Sequence, residues 1–460
     1  MMLKIYNTLT RKIEEFKPLK GKTVGIYSCG PTVYWNQHIG HMYAFVQWDI
    51  LVRFLRSTGY KVKWVMNITD VGHLTSDEDA GEDKMEKGAK REGLTVWEVA
   101  QKYLDQFLES IDLMNIKRPD VMPRATDHIA EQIELIKKIE ANGFTYKTKT
   151  GVVFDTSKFP DYDKFAKLNL EDLKSGARVE IDPEKRQPWD FLLWVTNQPH
   201  HIMQWDSPWG RGFPGWHIEC TAMSTKYLGE KFDIHTGGKE HVSVHHTNEI
   251  AQAYGAFGRQ TANYWLHNEW LTLKGEKVSK SSGNFVLVSD LKKRGFRPMH
   301  LRYLFLNSNY RTGLDFSWES LEGAKIAYER LVEIVRELQD EEAKIGCSEL
   351  ERRFIDALND DLNTSVALAV VWELLKSDYP KSAKLESLYK MDEVLGLNLK
   401  EVQAKEPVEI PEEIQKMAKE REELRKQKRF HLADQLRNKI KKLGFDIQDT
   451  DDGKTEIKKI

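Results

Sequence analysis

Cysteine is scarce in this chain. Its 460 residues include three: Cys29, Cys220 and Cys347. That is too few for a disulfide framework, and the odd count fits a reducing compartment. Nowhere do about 18 uncharged apolar residues follow one another, which excludes a membrane-spanning helix. The N-terminus, Met1-Met2-Leu3-Lys4-Ile5-Tyr6, lacks the apolar run of a signal peptide. Neither sign of charge dominates: 69 Lys and Arg face 71 Asp and Glu, a net charge of −2. Such a balance excludes coating of nucleic acid or membrane by bulk charge, but leaves room for a local basic patch. Internal repeats and low-complexity tracts are absent too. A cytosolic, multidomain globular protein remains, with two to four domains expected at roughly 100–200 residues each.

The β-rich run from Lys22 to Cys29 ends in Gly30-Pro31 and reads as a strand entering a loop. Phe45, Trp48, Leu51, Val52 and Leu55 then recur at helical spacing until Gly59. A second strand follows over Tyr60–Met66, so residues 22–67 form a strand–helix–strand unit of a parallel sheet. Residues 70–93 read as a loop or short helices. Thr95-Val96-Trp97-Glu98 fits a capping box opening a helix to about Met114, and another helix spans roughly 127–142. Short β-like runs at Gly151–Phe154 and Arg178–Ile181, broken by Gly, Pro and charge, look like an insertion into the first fold. Mixed α/β character returns over 206–275. Helical patterns dominate from 316 to about 398, Lys405–Pro411 reads as a linker, and the tail is a charged helical pattern with a short β-like end.

Between the first strand and its helix lies Cys29-Gly30-Pro31-Thr32-Val33-Tyr34-Trp35-Asn36-Gln37-His38-Ile39-Gly40-His41. In a parallel sheet, ligands sit at the carboxyl ends of the strands. A helix N-terminus there offers N–H groups and a positive dipole end to phosphate. His38 and His41, three apart, share a face on a helix, and Gly40 lets a nucleotide approach the backbone. Two imidazoles so placed can donate hydrogen bonds to phosphate oxygens as charge builds on them. Alone, the pattern equally fits one packed and one solvated histidine. Far downstream, Lys277-Val278-Ser279-Lys280-Ser281-Ser282-Gly283-Asn284 reads alone as a solvated turn. It is also a flexible cationic loop able to close on ATP phosphates.

In this order, the two motifs resemble the signature pair of class I aminoacyl-tRNA synthetases. Cys29-Gly30-Pro31-Thr32-Val33-Tyr34, Asn67-Ile68-Thr69-Asp70, Pro214-Gly215-Trp216-His217-Ile218-Glu219-Cys220 and His245-His246-Thr247-Asn248-Glu249 narrow the resemblance to the cysteinyl-tRNA synthetases. The likeness runs almost the whole length. Two departures are visible: Val278 where the family usually has Met, and Lys239–Val244 where many members have Ser-Asp and then Phe-Pro.

The resemblance implies a Rossmann-type catalytic domain with an inserted connective domain, a helical bundle and a small C-terminal anticodon-binding domain. Their expected spans are 1–120 and 206–275 for the catalytic halves and 121–205 for the insertion. The lysine-loop region takes 276–316, the bundle 317–400 and the anticodon-binding region 401–460. It implies ATP contacts at His38, Gly40, His41 and Lys280, with Lys277 and Lys280 closing over the phosphates and Mg²⁺ accompanying ATP. It implies cysteine contacts at Thr69, Trp216 and His235.

It also implies one zinc ion on Cys29, Cys220, His245 and Glu249. By spacing alone these cysteines read as small buried hydrophobes. Only His245 and Glu249, four apart, are placed together by a helix. Thiolate, thiolate, imidazole and carboxylate make a reasonable tetrahedral zinc set. The chemical logic is discrimination. Serine differs from cysteine only by oxygen for sulfur, and a shape-reading pocket separates near-isosteres by about 10²-fold. A thiophilic metal reads the sulfur directly. Cys347 is expected to be structural.

Residues 412–442 hold eleven Lys and Arg against six acids, net +5, interrupted by Phe430 and His431. Such a segment reads as a solvated charged helix or as one that holds a phosphate backbone and stacks a base. Its match to the family's terminal region favours tRNA. The expected function is cysteine activation by ATP and transfer to the 3′ end of tRNA(Cys), by a cytosolic monomer. Two alternatives share parts of the pattern. A ligase joining cysteine to an amino sugar would lack the basic tail; a non-catalytic synthetase-like RNA-binding protein would need neither signature pair.

Overall fold

The computed structural model describes residues 2–73, 83–168, 183–273, 275–277, 285–403, 411–449 and 455–459. They form two compact units, Met1–Glu401 and Val402–Ile460.

A four-stranded parallel sheet lies at the centre of the first unit, in the order Ala262–Asn268, Phe232–Gly238, Thr23–Ser28, Lys61–Met66. The strand–helix–strand unit read from the sequence is present, with helix Ile39–Ser57 joining Thr23–Ser28 to Lys61–Met66. Its inner strands are almost continuously buried, as expected of a sheet covered on both faces. Chain order and spatial order differ, because some 165 residues separate the second strand from the third. Both later strands lie on the opposite side of the first from its neighbour Lys61–Met66. Ser28 is in register with Thr236 and Met66, so the segment after Ser28 leaves the sheet where the carboxyl ends of three strands converge.

The long interval holds helices Lys84–Glu92, Val96–Leu113 and Ile129–Ala141. The capping box at Thr95 is formed: Thr95 N donates to Glu98 Oε2 (2.8 Å) and Glu98 N to Thr95 Oγ1 (3.2 Å). Then comes an antiparallel sheet of Thr145–Thr148, Gly151–Phe154, Phe191–Thr196 and Gly212–Pro214. Its last strand lies beyond residue 205, so the inserted sheet runs further than the sequence reading drew it. The β-like run at 178–181 lies outside the described residues. Helix Trp216–Leu228 returns the chain to the parallel sheet.

Beyond the sheet, Leu271–Leu273 pairs with Glu276–Lys277 and with Leu314–Phe316. Helices Trp318–Leu338, Ser348–Asn359, Thr364–Lys376 and Lys381–Leu395 make the bundle. A buried charge cluster ties it to the helix Ile39–Ser57. Asp49 accepts from Arg53 Nε (2.8 Å) and Arg302 NH2 (2.6 Å). Arg302 also donates to the carbonyls of Leu395 (2.8 Å) and Met114 (2.9 Å), and Arg53 to that of Glu393 (3.1 Å).

The second unit has its own small core of Ile414, Met417, Ala418, Ile440, Phe445 and Ile447. The charged tail is two helices, Glu412–Lys426 and Phe430–Lys442, followed by the hairpin Phe445–Asp449 with Thr455–Lys459. Phe430 is exposed at the start of the second helix.

Candidate metal centre and nucleotide site

The converging strand ends bring the distant cysteines together. Cys29 follows the first strand, while Cys220 lies in the helix that returns the chain to the sheet. Their sulfurs are 3.9 Å apart, although 191 residues separate them in sequence. Helix His245–Phe257 presents His245 and Glu249 at successive turns, Nε2 to Oε1 3.2 Å. One ligand atom from each of Cys29, Cys220, His245 and Glu249 falls within 4.8 Å of every other. Cys220, His245 and Glu249 are buried, and Cys29 is half-buried as a residue with its thiol turned into the cluster.

The electrostatics fit a cation. Burial, followed by the neighbouring Cys220 and Glu249, pushes the Cys29 thiol well up. Burial acts to raise Cys220 as well, yet hydrogen bonds to Cys29 and His245 bring it down to about 7. For Glu249 burial is outweighed by His235 and His245, which hold it well below the usual carboxylate range. Burial acts to lower His245, but Cys220 and Glu249 push it up to about 10, so its imidazolium is the positive partner these close sulfurs and carboxylate require, in the place a metal cation would take. A soft divalent ion suits the donor set.

A second overlapping set, Cys29, His235, His246 and Glu249, meets the same distance condition. His246 Nε2 is 3.2 Å from Cys29 Sγ, and its Nδ1 is 2.7 Å from His267 Nε2. Sequence reading passed over His246 because adjacent positions on a helix point about 100° apart, and only His245 stacks with Glu249 at i,i+4. His235, expected to touch cysteine, is fully buried between Glu249 (Nε2 to Oε2 2.8 Å) and the face of Trp265. Trp216 is half-buried, its ring 4.5 Å from that of His245, with the Lys84 ammonium 5.2 Å from its centroid. It forms a wall of the centre. The Lys239–Val244 segment, which departs from the family pattern, sets His241 5.2 Å from both His245 and His246. Thr69 lies one hydrogen bond from the residue before Cys220, donating to Glu219 Oε2 at 3.0 Å.

At the nucleotide end, His38 is the cap of the helix rather than its first turn, with extended backbone. Its Nδ1 accepts from Gly40 N (3.1 Å), and His41 Nδ1 accepts from His38 N (3.2 Å). The two rings stack at 3.7 Å. With each Nδ1 an acceptor, each neutral ring carries its proton on Nε2, the donor form a phosphate requires. Cys347 lies apart, buried at the start of a bundle helix.

Lys280 and Val278 lie outside the described residues, and for Lys277 the backbone alone is described. The flanks of the lysine segment are fixed nevertheless. Lys277 pairs with Thr272 before it, and after it Ile39 N donates to Val286 O (2.8 Å) while His38 bridges to Leu287. The exit of the lysine segment is therefore fastened to the first signature motif.

Residues 15–326 match the model of the tRNA synthetases class I (C) catalytic domain, and residues 353–377 match the DALR domain. The cysteine–tRNA ligase of Treponema denticola is 46% identical over the whole of both chains. The chain belongs to the cysteine–tRNA ligase family. The Thermus thermophilus member is 42% identical over 98% of each chain. A methionyl-tRNA synthetase from Mycobacterium tuberculosis, solved with methionyl-adenylate, superposes with a TM-score of 0.54 at 17% identity, over 82% of this chain and 90% of that one. That likeness is one of fold; the Rossmann-type parallel sheet is seen in this chain itself, and the DALR match falls on the bundle helices Ser348–Asn359 and Thr364–Lys376.

Proposed function

We propose that the chain is a cysteine–tRNA ligase: it activates L-cysteine with ATP to cysteinyl adenylate and transfers the cysteinyl group to the 3′ end of tRNA(Cys). The observation that carries the reading is the meeting of Cys29, Cys220, His245 and Glu249 within 4.8 Å beside the first signature motif. The full-length relatives support the same substrates. Zinc on these four residues would supply direct coordination of the substrate sulfur, which serine cannot match.

The chain's own residues then position and stabilise. Trp216 walls the amino-acid side beside His245, Thr69 contacts the amino acid, and His235 holds Glu249 in place. His38 and His41 donate from Nε2 to the ATP phosphates while Gly40 keeps the backbone accessible. Lys277 and Lys280 neutralise the departing pyrophosphate, and Mg²⁺ travels with the nucleotide. Little covalent work falls to the protein, so catalysis is mainly alignment and charge stabilisation.

The separately folded unit Val402–Ile460, basic over 412–442, would take the tRNA, which favours this reading over an amino-sugar ligase. Among the described residues no helix is long and apolar enough to cross a membrane. A cytosolic monomer completes the proposal. Incubation with ATP, radiolabelled cysteine and total tRNA is the test. Charging of tRNA is expected; adenylate without charging would point to transfer onto another amine, and neither product would refute catalysis.

A further inference from the structure

Cysteine and serine are told apart at sulfur, but the same centre must also distinguish an amino acid from any other small thiol. Two carbons separate the sulfur of cysteine from its nitrogen, so the ammonium must fall close to whatever holds the sulfur. A hydrogen-bonded path runs from the residue after Cys29 to the residue before Cys220. Gly30 N, next to Cys29, donates to Asn67 Oδ1 (2.9 Å). Asn67 Nδ2 donates to Thr69 Oγ1 (3.0 Å), and Thr69 Oγ1 donates to Glu219 Oε2 (3.0 Å). Glu219 precedes Cys220, and its other oxygen meets His73 Nε2 at 2.5 Å. All four side chains are buried, Glu219 completely.

The direction of each bond is forced. Gly30 offers a backbone N–H, so Asn67 must turn its oxygen there and its amide nitrogen toward Thr69. A carboxylate only accepts, so the single hydroxyl proton of Thr69 goes to Glu219. A hydroxyl has one proton and two lone pairs. With its O–H donated to Glu219 and one lone pair accepting from Asn67, what Thr69 retains is one lone pair. It can accept from a substrate and cannot donate to one. Behind it stands a fully buried carboxylate, so a cation is welcomed and an anion repelled.

We propose that Glu219 is a positioning residue that commits Thr69 to read the α-ammonium of the substrate, with His73 fixing the carboxylate in turn. Glu219 thus makes the centre selective for aminothiols over thiols lacking the amine. The inference deepens, and rests on, the reading of Thr69 as a cysteine contact.

The test is calorimetric binding of two ligands to zinc-loaded enzyme: L-cysteine and 3-mercaptopropionate, which keeps the thiol and carboxylate but lacks the ammonium. The parent should prefer cysteine. Glu219→Gln should weaken cysteine by about tenfold or more, as expected for a charge-assisted hydrogen bond, and leave 3-mercaptopropionate within about twofold. Zinc should stay at one per chain, as measured by elemental analysis. Thr69→Val, which retains Glu219, should shrink the same ratio and keeps the inference testable if the first variant fails to fold. Equal weakening of both ligands, an unchanged ratio, or loss of zinc in Glu219→Gln would overturn the assignment and leave the proposed function standing. Failure of both thiols to bind the parent enzyme would instead overturn the site reading itself.

Discussion

Replacing Asp49 by leucine should cost the first unit about as much stability as truncating one of its fully buried aromatic side chains. Asp49 is fully buried on the helix Ile39–Ser57, and Arg302 opposite it is fully buried too. Arg53 and Arg302 both converge on Oδ2, while Lys117 N donates to Oδ1 (2.9 Å). Asp49→Leu strands two guanidinium groups and one backbone N–H. Breaking a buried pair from one side costs about 3–5 kcal/mol. At about 2.1 cal/mol/K of unfolding entropy per residue over Met1–Glu401, that is a fall in Tm of roughly 4–6 °C.

Arg302→Met should cost less, because Asp49 keeps Arg53 as its counter-charge. The double variant should lose less than the two single losses added together, since removing both partners leaves fewer unpaired charges. The assay is a thermal melt followed by circular dichroism on the parent, both single variants and the double. A shift below about 1 °C for Asp49→Leu, or a double-variant loss equal to the sum, would refute the reasoning.

Gly30→Ala would set its Cβ 1.7 Å from the carbonyl oxygen of Asn67, so the strand end carrying Cys29 must move; near-complete loss of bound zinc is expected by elemental analysis. Cys220→Ser should likewise remove the metal, whereas Cys347→Ser should leave one zinc per chain and stability within about 1 kcal/mol, because Cys347 is a small buried group outside the centre. Burial pushes the Asp70 carboxyl up to about 6 despite hydrogen bonds from Thr126. A raised acid is protonated first in the folded state, so ionisation above pH 6 destabilises the fold and lowering the pH relieves it. The stability advantage of Asp70→Asn over the parent should therefore shrink by about 1.4 kcal/mol between pH 7 and pH 5, as read by urea unfolding at each pH.

The catalytic unit was legible in the sequence where short-range pattern determines geometry. Apolar spacing gave the helix after the first strand, Thr95 and Glu98 gave a cap, and i,i+4 spacing joined His245 to Glu249. The pairing of Cys29 with Cys220 was not legible from spacing. The order of the parallel strands brings them together across an inserted domain, and only family resemblance foretold it. Asp49, Arg302 and Glu219 carry no mark of burial in sequence, since isolated charges on a helical pattern usually face water. The strand Gly212–Pro214 is too short to show alternation. The break between the tail helices has neither glycine nor proline to announce it; Lys428 turns the chain there at φ 58°. His246 went unread for the opposite reason, standing beside a residue with a stronger pattern.

The central claim is that a metal held by Cys29, Cys220, His245 and Glu249 selects the substrate by its sulfur. Cysteine-dependent and serine-dependent ATP–pyrophosphate exchange should be measured on zinc-loaded enzyme, after zinc removal by a chelator, and after zinc is restored. The account predicts that cysteine-dependent exchange disappears with the metal and returns with it, and that serine is excluded by the loaded enzyme. Zinc-free enzyme that still prefers cysteine to serine would contradict it.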